Sequence, residues 1–213
     1  MFDKMTRRSL IKGFALAPLG AVLVKRLSFS AESAESSSRE SRGWGANFFT
    51  NFVLTTHEGK KVRFYDDLIR GKTVLLNFFH AKCGKCCPPH IMNLVKVQNL
   101  LGDRLGRNVF MYSLTLEPHK DTPKVLKAYA EEHGAKWHFL TGKPNEIEIL
   151  RRRLGFVDPA PALERATVQH IGKVLYGNEA RNLWAACPAL TTPEEIIGYV
   201  NGVADGSNSK PIA

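Results

Sequence analysis

The feature that most limits how this chain can fold is a seven-residue run, Thr73-Val74-Leu75-Leu76-Asn77-Phe78-Phe79, that ends just short of three cysteines. A run this short and apolar, bounded by Gly71-Lys72 and by a Cys/Gly/Pro cluster, predicts a strand buried on both faces. Such a strand belongs inside a sheet that is covered by helices. Residues 79–89 read Phe-His-Ala-Lys-Cys-Gly-Lys-Cys-Cys-Pro-Pro, so Cys83, Cys86 and Cys87 fall within five positions. A buried strand that delivers cysteines to a helix start is a redox or soft-metal arrangement. Both chemistries need thiolates, and a helix N-terminus stabilises a thiolate.

The rest of the pattern alternates between strands and helices. Phe52-Val53-Leu54-Thr55-Thr56 and Lys61-Val62-Arg63-Phe64-Tyr65 flank a turn containing Gly59, which predicts a hairpin. Ile91, Leu94, Val95, Val97, Leu100, Leu101 and Leu105 suit one face of a helix. Val109 to Leu116 alternates as a strand. Asp121-Thr122-Pro123 then opens a helix with a capping side chain followed by proline, and Asp121 is the expected cap. Trp137 to Leu140 predicts a short strand, residues 144–154 a helix, Thr167 to Tyr176 strand, and Thr192-Pro193-Glu194-Glu195 a final helix reaching about Val203. This order predicts an α/β domain with a mixed central sheet. A cysteine motif between a strand and a helix is where thioredoxin-like domains carry their reactive pair.

The N-terminus predicts export. Arg7-Arg8 precedes an 11-residue apolar stretch, Phe14 to Val24, and then Lys25-Arg26 and small residues around Ala31 and Ala34. These are the parts of a signal peptide, and the paired arginines resemble the twin-arginine (Tat) pattern. The apolar stretch is well short of the ~20 residues that span a bilayer. Residues 1–34 are read as the signal, 35–47 as a flexible tether rich in Ser, Glu, Ala, Arg and Gly, 48–204 as the folded domain and 205–213 as a polar tail. The location implied is the periplasm or the outer face of the cytoplasmic membrane, with membrane attachment only if the signal is uncleaved. Tat export machinery is an implied partner.

Formal charge is +10 for the chain; residues 1–30 hold six basic side chains against Asp3, so half of this charge belongs to the targeting segment. Arg151-Arg152-Arg153 follows Glu146, Glu148 and Leu150 on an expected helix and reads as a solvated face. No basic patch interleaved with aromatics points to nucleic acid.

Four segments together resemble the Sco/SenC family of thioredoxin-like copper proteins. They are Cys83-Gly84-Lys85-Cys86-Cys87-Pro88, which contains Cys-x-x-x-Cys-Pro; Ser113 to Pro123, with Glu117-Pro118-His119-Lys120-Asp121-Thr122-Pro123; Trp137-His138-Phe139-Leu140-Thr141-Gly142; and the opening hairpin with Gly71-Lys72. The resemblance implies a three-layer thioredoxin-like fold with an N-terminal hairpin. It also implies a copper site of Cys83, Cys87 and a distant histidine, best matched by His170. Family members that this chain resembles help to assemble the copper centre of cytochrome oxidase or act as thiol–disulfide reductants for it. The partner implied is a cuproenzyme subunit or a copper donor protein. Asp121 gains a possible place near the metal site.

The residue chemistry is compatible with that reading. Positions i and i+4 share a helix face. Two thiolates and an imidazole suit Cu(I) and tolerate Cu(II). The same sulfurs can close a disulfide if their Cα atoms approach within ~7 Å, so copper loading and disulfide formation exclude each other. Cys86 departs from the family pattern: with Cys83 it makes Cys-Gly-Lys-Cys, so the redox partner of Cys83 is Cys86 or Cys87. Lys82 and Lys85 favour thiolate. His80 is a candidate near the motif. His57, His90, His119, His133 and His138 read as turn or surface residues, and Cys187 as a buried small hydrophobe or a partner for Cys86. Two functions follow: a copper-binding assembly factor, or a thiol–disulfide oxidoreductase or thiol peroxidase with Cys83 as nucleophile.

Overall fold

The computed structural model describes residues 45–82, 87–157 and 172–205, with backbone only for Ala46, Cys87 and Asp205. The expected signal, most of the tether, Cys83, Cys86, His170 and the tail after Asp205 lie outside the described residues.

A short helix α1 (Gly45–Phe49) comes first, beginning inside the stretch expected to be tether. The hairpin follows as β1 (Val53–Thr56) and β2 (Lys61–Arg63). Its turn is closed by Thr56 N–H donating to Lys60 O at 2.9 Å and Gly59 N–H to Thr56 O at 2.8 Å. Gly59 has φ +84°, a conformation that costs glycine little and other residues more. Phe64–Ile69, expected to continue the hairpin and then turn, instead forms one π-helical turn that buries Phe64, Tyr65, Leu68 and Ile69. Next come β3 (Thr73–Phe79), α2 (Cys87–Leu101), β4 (Val109–Thr115), α3 (Pro123–His133), β5 (His138–Thr141), α4 (Pro144–Arg153), β6 (Lys173–Asn178), β7 (Leu183–Pro188) and α5 (Pro193–Asp205).

The seven strands form one sheet in the order β2-β1-β5-β4-β3-β6-β7. The central strands β3, β4 and β5 are parallel, while the hairpin and the β6–β7 pair add antiparallel edges. Every residue of β3 is buried, as its composition predicts for a strand covered on both faces. Its side chains alternate between two cores. Leu75 and Phe79 pack with Ile91, Leu94 and Val97 of α2, Leu126 and Tyr129 of α3, and Ile196 and Val200 of α5. Val74, Leu76 and Phe78 face Phe49 of α1, the π-helical turn, and Ile147 and Leu150 of α4. Helices on both sides of a mixed sheet make the three-layer, thioredoxin-like α/β fold that the sequence predicts.

The one polar residue in the middle of β3 is satisfied internally. Ser113 Oγ–H donates to Asn77 Oδ1 at 2.6 Å, and Trp137 Nε1–H donates to Ser113 Oγ at 2.8 Å. This chain ties β3, β4 and the entry to β5 inside the core, where an unpaired amide would be costly. Gln98 plays a similar part between helices: its Nε2 donates to Gly134 O at 3.1 Å and its Oε1 accepts from Lys136 N–H at 2.5 Å.

Candidate metal centre

The parallel strands β3, β4 and β5 all finish at one end of the sheet, where the residues before the cysteine motif lie. β3 stops at Phe79, His80 and Ala81 continue it, and the backbone description resumes at Cys87, the first residue of α2. The motif therefore joins a buried strand to a helix N-terminus, as its composition predicts. The first turn of α2 contains no acidic residue to compete for the helix dipole.

The end of β3 is fastened by Asp121. Its carboxylate is fully buried; Oδ2 accepts from Thr115 Oγ1 at 2.5 Å and from Ala81 N–H at 3.2 Å. Leu116 N–H also donates to Phe79 O at 2.9 Å. The residue two positions before Cys83 is thus held on β4 and on the loop that follows it. Among the described residues Asp121 Oδ1 is buried without a hydrogen-bond partner, an acceptor in the same neighbourhood.

This corrects the expected role of Asp121. The N-cap of α3 is Thr122, whose side chain accepts from Val125 N–H at 3.4 Å. Pro123 occupies the first turn, so the capping position falls one residue after Asp121. The aspartate is left to turn inward and hold the β3 end.

Charges gather around this rim. The Lys120 ammonium, 2.6 Å from Glu117, holds the Glu117 carboxyl below its ordinary range, and His80 and Lys82 act in the same direction. Burial pushes the His80 imidazole down, against the pull of Glu117 and Asp121. His80 therefore stands beside the motif, among the groups that hold it, and favours its neutral form.

His90 is the residue that sequence reasoning placed wrongly. It is half-buried on the first turn of α2, three residues after Cys87. Its ring covers Gly172: a Cβ there would lie 2.3 Å from His90 Cε1 and 2.7 Å from Nε2. The strand that follows His170 in sequence thus returns to the start of α2. Burial also pushes the His90 imidazole down. The available signal was the Cys87–His90 spacing of i, i+3, which puts the two on neighbouring helical positions.

Three other histidines serve the fold. His57 Nδ1 accepts from Phe139 N–H at 3.1 Å, His138 stacks on Tyr112, and His133 stacks on Tyr129 with its Nδ1 2.9 Å from Tyr129 O. Cys187 is a free, buried thiol of β7, packed with Val174 and Ile196, and burial pushes its pKa up. It behaves as a small hydrophobe. Cys83, Cys86 and His170 lie outside the described residues, as does the side chain of Cys87. Among the described residues no three His, Cys, Asp or Glu side chains form a metal cage, and no helix is long and apolar enough to cross a membrane.

The SCO1/SenC family model matches residues 41–205. The SCO1 protein homolog of Bacillus subtilis is 30% identical over 101 residues, which cover 46% of this chain and 51% of that protein. The chain spans 30 to 51% of the length of the curated relatives it first matches. Among solved structures, Bradyrhizobium japonicum ScoI with copper bound superposes with a TM-score of 0.59 at 22% identity, covering 71% of this chain and 96% of the other. BsSco, described with a disulfide switch and as a member of the Sco family of cytochrome c oxidase assembly proteins, has a TM-score of 0.58 at 22% identity, covering 72% and 91%.

Proposed function

The chain belongs to the SCO1/SenC family, and from that premise we propose that it is an exported copper-binding protein serving a cuproenzyme such as cytochrome c oxidase. Copper is its cargo. It either delivers the metal or keeps the recipient's cysteines reduced. Cys83 and Cys87 supply thiolates and His170 the imidazole, a donor set suited to Cu(I) and tolerant of Cu(II). Residues 1–34 are the Tat-type signal, and the site works outside the cytoplasmic membrane.

The observation that carries this reading is the anchored end of β3, which leads through the cysteine motif into α2. Asp121 holds the strand end at Ala81, and the helix begins at Cys87. The described residues thus bracket the cysteine motif between the end of β3 and the start of α2. Copper bound to the Bradyrhizobium ScoI structure supports the same assignment by analogy.

The test is an anaerobic Cu(I) titration of the reduced, full-length protein. One equivalent should bind, with a sharp loss of affinity in Cys83→Ser, Cys87→Ser and His170→Ala. Unchanged affinity in His170→Ala overturns the ligand set.

A second reading has its own support. The disulfide switch of BsSco and the Cys83-Gly84-Lys85-Cys86 sequence favour thiol–disulfide exchange, in which Cys83 attacks and Cys86 or Cys87 resolves. Such exchange should survive His170→Ala. A peroxidase reading requires peroxide turnover by copper-free protein; absence of turnover removes it.

A further inference from the structure

The hairpin extends the sheet past the cover of α3. Leu54 and Val62 turn into one core, so Val53, Thr55 and Lys61 face the other side of the sheet. Among the described residues no helix seals that side beyond β5, and a cleft of about 590 Å³ opens there. Val53, Thr55 and Lys61 form one wall, Pro118, Thr122 and Pro123 the second, and Thr141 to Pro144 the third. Val53, the first residue of β1, is 51% exposed, an apolar side chain open to the cleft. The second wall belongs to the loop whose Asp121 fastens the strand end before the cysteines. The cleft and the candidate metal centre therefore share one loop and one edge of the sheet.

Its chemistry favours an anion. Lys61 and Lys143 are the charged residues of the lining, which contains no acid. Lys61 Nζ donates to Thr55 Oγ1 at 2.8 Å. Lys143 is paired at 3.0 Å with Glu146, one turn inside α4, and keeps 76% of its side chain exposed. Helices α3 and α4, of 11 and 10 residues, both begin at the cleft with a proline in the first turn. Their positive ends converge there. Independently, Thr141 lines the cleft, is 7% exposed, and its buried Oγ1 has no hydrogen-bond partner among the described residues. Buried hydroxyls are nearly always paired, so an orphan beside the cleft is a group that an incoming polar atom would satisfy.

We propose that this cleft is a docking socket for an acidic segment of the protein that exchanges copper or electrons with the cysteine motif. A carboxylate of that segment meets Lys61, Lys143 and the Thr141 hydroxyl, while its apolar neighbours rest on Val53 and the prolines. The partner would thereby be held beside the motif. The proposal rests on the function proposed above for its partner, but the cleft can be measured separately.

The probe is the peptide acetyl-Gly-Glu-Glu-Leu-Gly-amide, titrated into full-length protein at low ionic strength and followed by amide NMR. Saturable shifts are expected at Thr122, Thr141 and Gly142. Binding should weaken about tenfold in Lys61→Gln/Lys143→Gln and fall further with added salt. The Gln-Gln version of the peptide should not bind. Cu(I) affinity should be the same in the double variant as in the wild type. No shifts at the cleft, or shifts unaltered by the double substitution, overturn the proposal even when copper binds normally. Succinate binding as tightly as the peptide also overturns it, because the cleft would then hold a free dicarboxylate. Failure of copper binding with an intact peptide response would instead strike the copper assignment alone.

Discussion

Asp121 shows how much a single buried carboxylate can organise. It joins Thr115 of β4 to Ala81 at the end of β3, so its removal leaves a hydroxyl and an amide N–H without an acceptor. Asp121→Ala is expected to destabilise the protein by about 1–3 kcal/mol in urea unfolding. Asp121→Asn, which keeps one acceptor oxygen, should lose less; equal losses would contradict this role. His90 and Gly172 make a second residue-scale case. Gly172→Ala forces the ring aside, because the added Cβ cannot sit 2.3 Å from Cε1. The His90 ring resonances should shift in that variant, and unchanged resonances would contradict the contact. Neither role was legible in the sequence. Asp121 sits beside an obvious cap position, and only tertiary burial turns it inward. His90 looks like any polar residue on a helix, and its partner is a glycine just before a strand distant in sequence.

At the scale of elements, the sequence was most readable where one physical signal dominates. The unbroken apolar composition of residues 73–79 leaves few alternatives to a central strand, and the structure buries all seven. Thr122-Pro123 and Gly134 mark the two ends of α3, and Gly134 adopts the left-handed conformation of a C-cap with φ 69°. The π-helical turn at Phe64–Ile69 was not readable, since Asp66-Asp67 and Gly71 resemble turn chemistry while its burial depends on the α1 and α4 side. The corrected capping residue gives a direct test. Thr122→Ala should cost about 0.5–2 kcal/mol by loss of the cap of α3, measured by chemical unfolding. No loss would return the cap to Asp121.

For the molecule as a whole, the pattern of alternating strands and helices was enough to give the three layers, because each element must bury one face against another. The candidate site was legible in a different way: the motif names its donors, whereas their arrangement depends on segments that the described residues only bracket. The half-buried His90 makes a prediction about the entire fold. Burial lowers its imidazole. A base with a folded pKa below its unfolded value is protonated more readily in the unfolded chain. The stability it contributes is complete above the unfolded value, near pH 6.5, and is lost as pH falls through the folded value. The melting temperature should therefore drop between pH 7.5 and pH 5, and the slope should lessen in His90→Asn. A flat profile over that window would contradict the burial of this ring.

The central claim is that a thiolate–imidazole site at the β3–α2 junction holds copper, with His170 as its nitrogen donor. X-ray absorption on the reduced, full-length protein loaded with Cu(I) tests it most directly. The account predicts two sulfur ligands and one nitrogen ligand in the wild type, and loss of the nitrogen with weakened binding in His170→Ala. A wild-type spectrum with sulfur donors alone, or one that His170→Ala leaves unchanged, would contradict it.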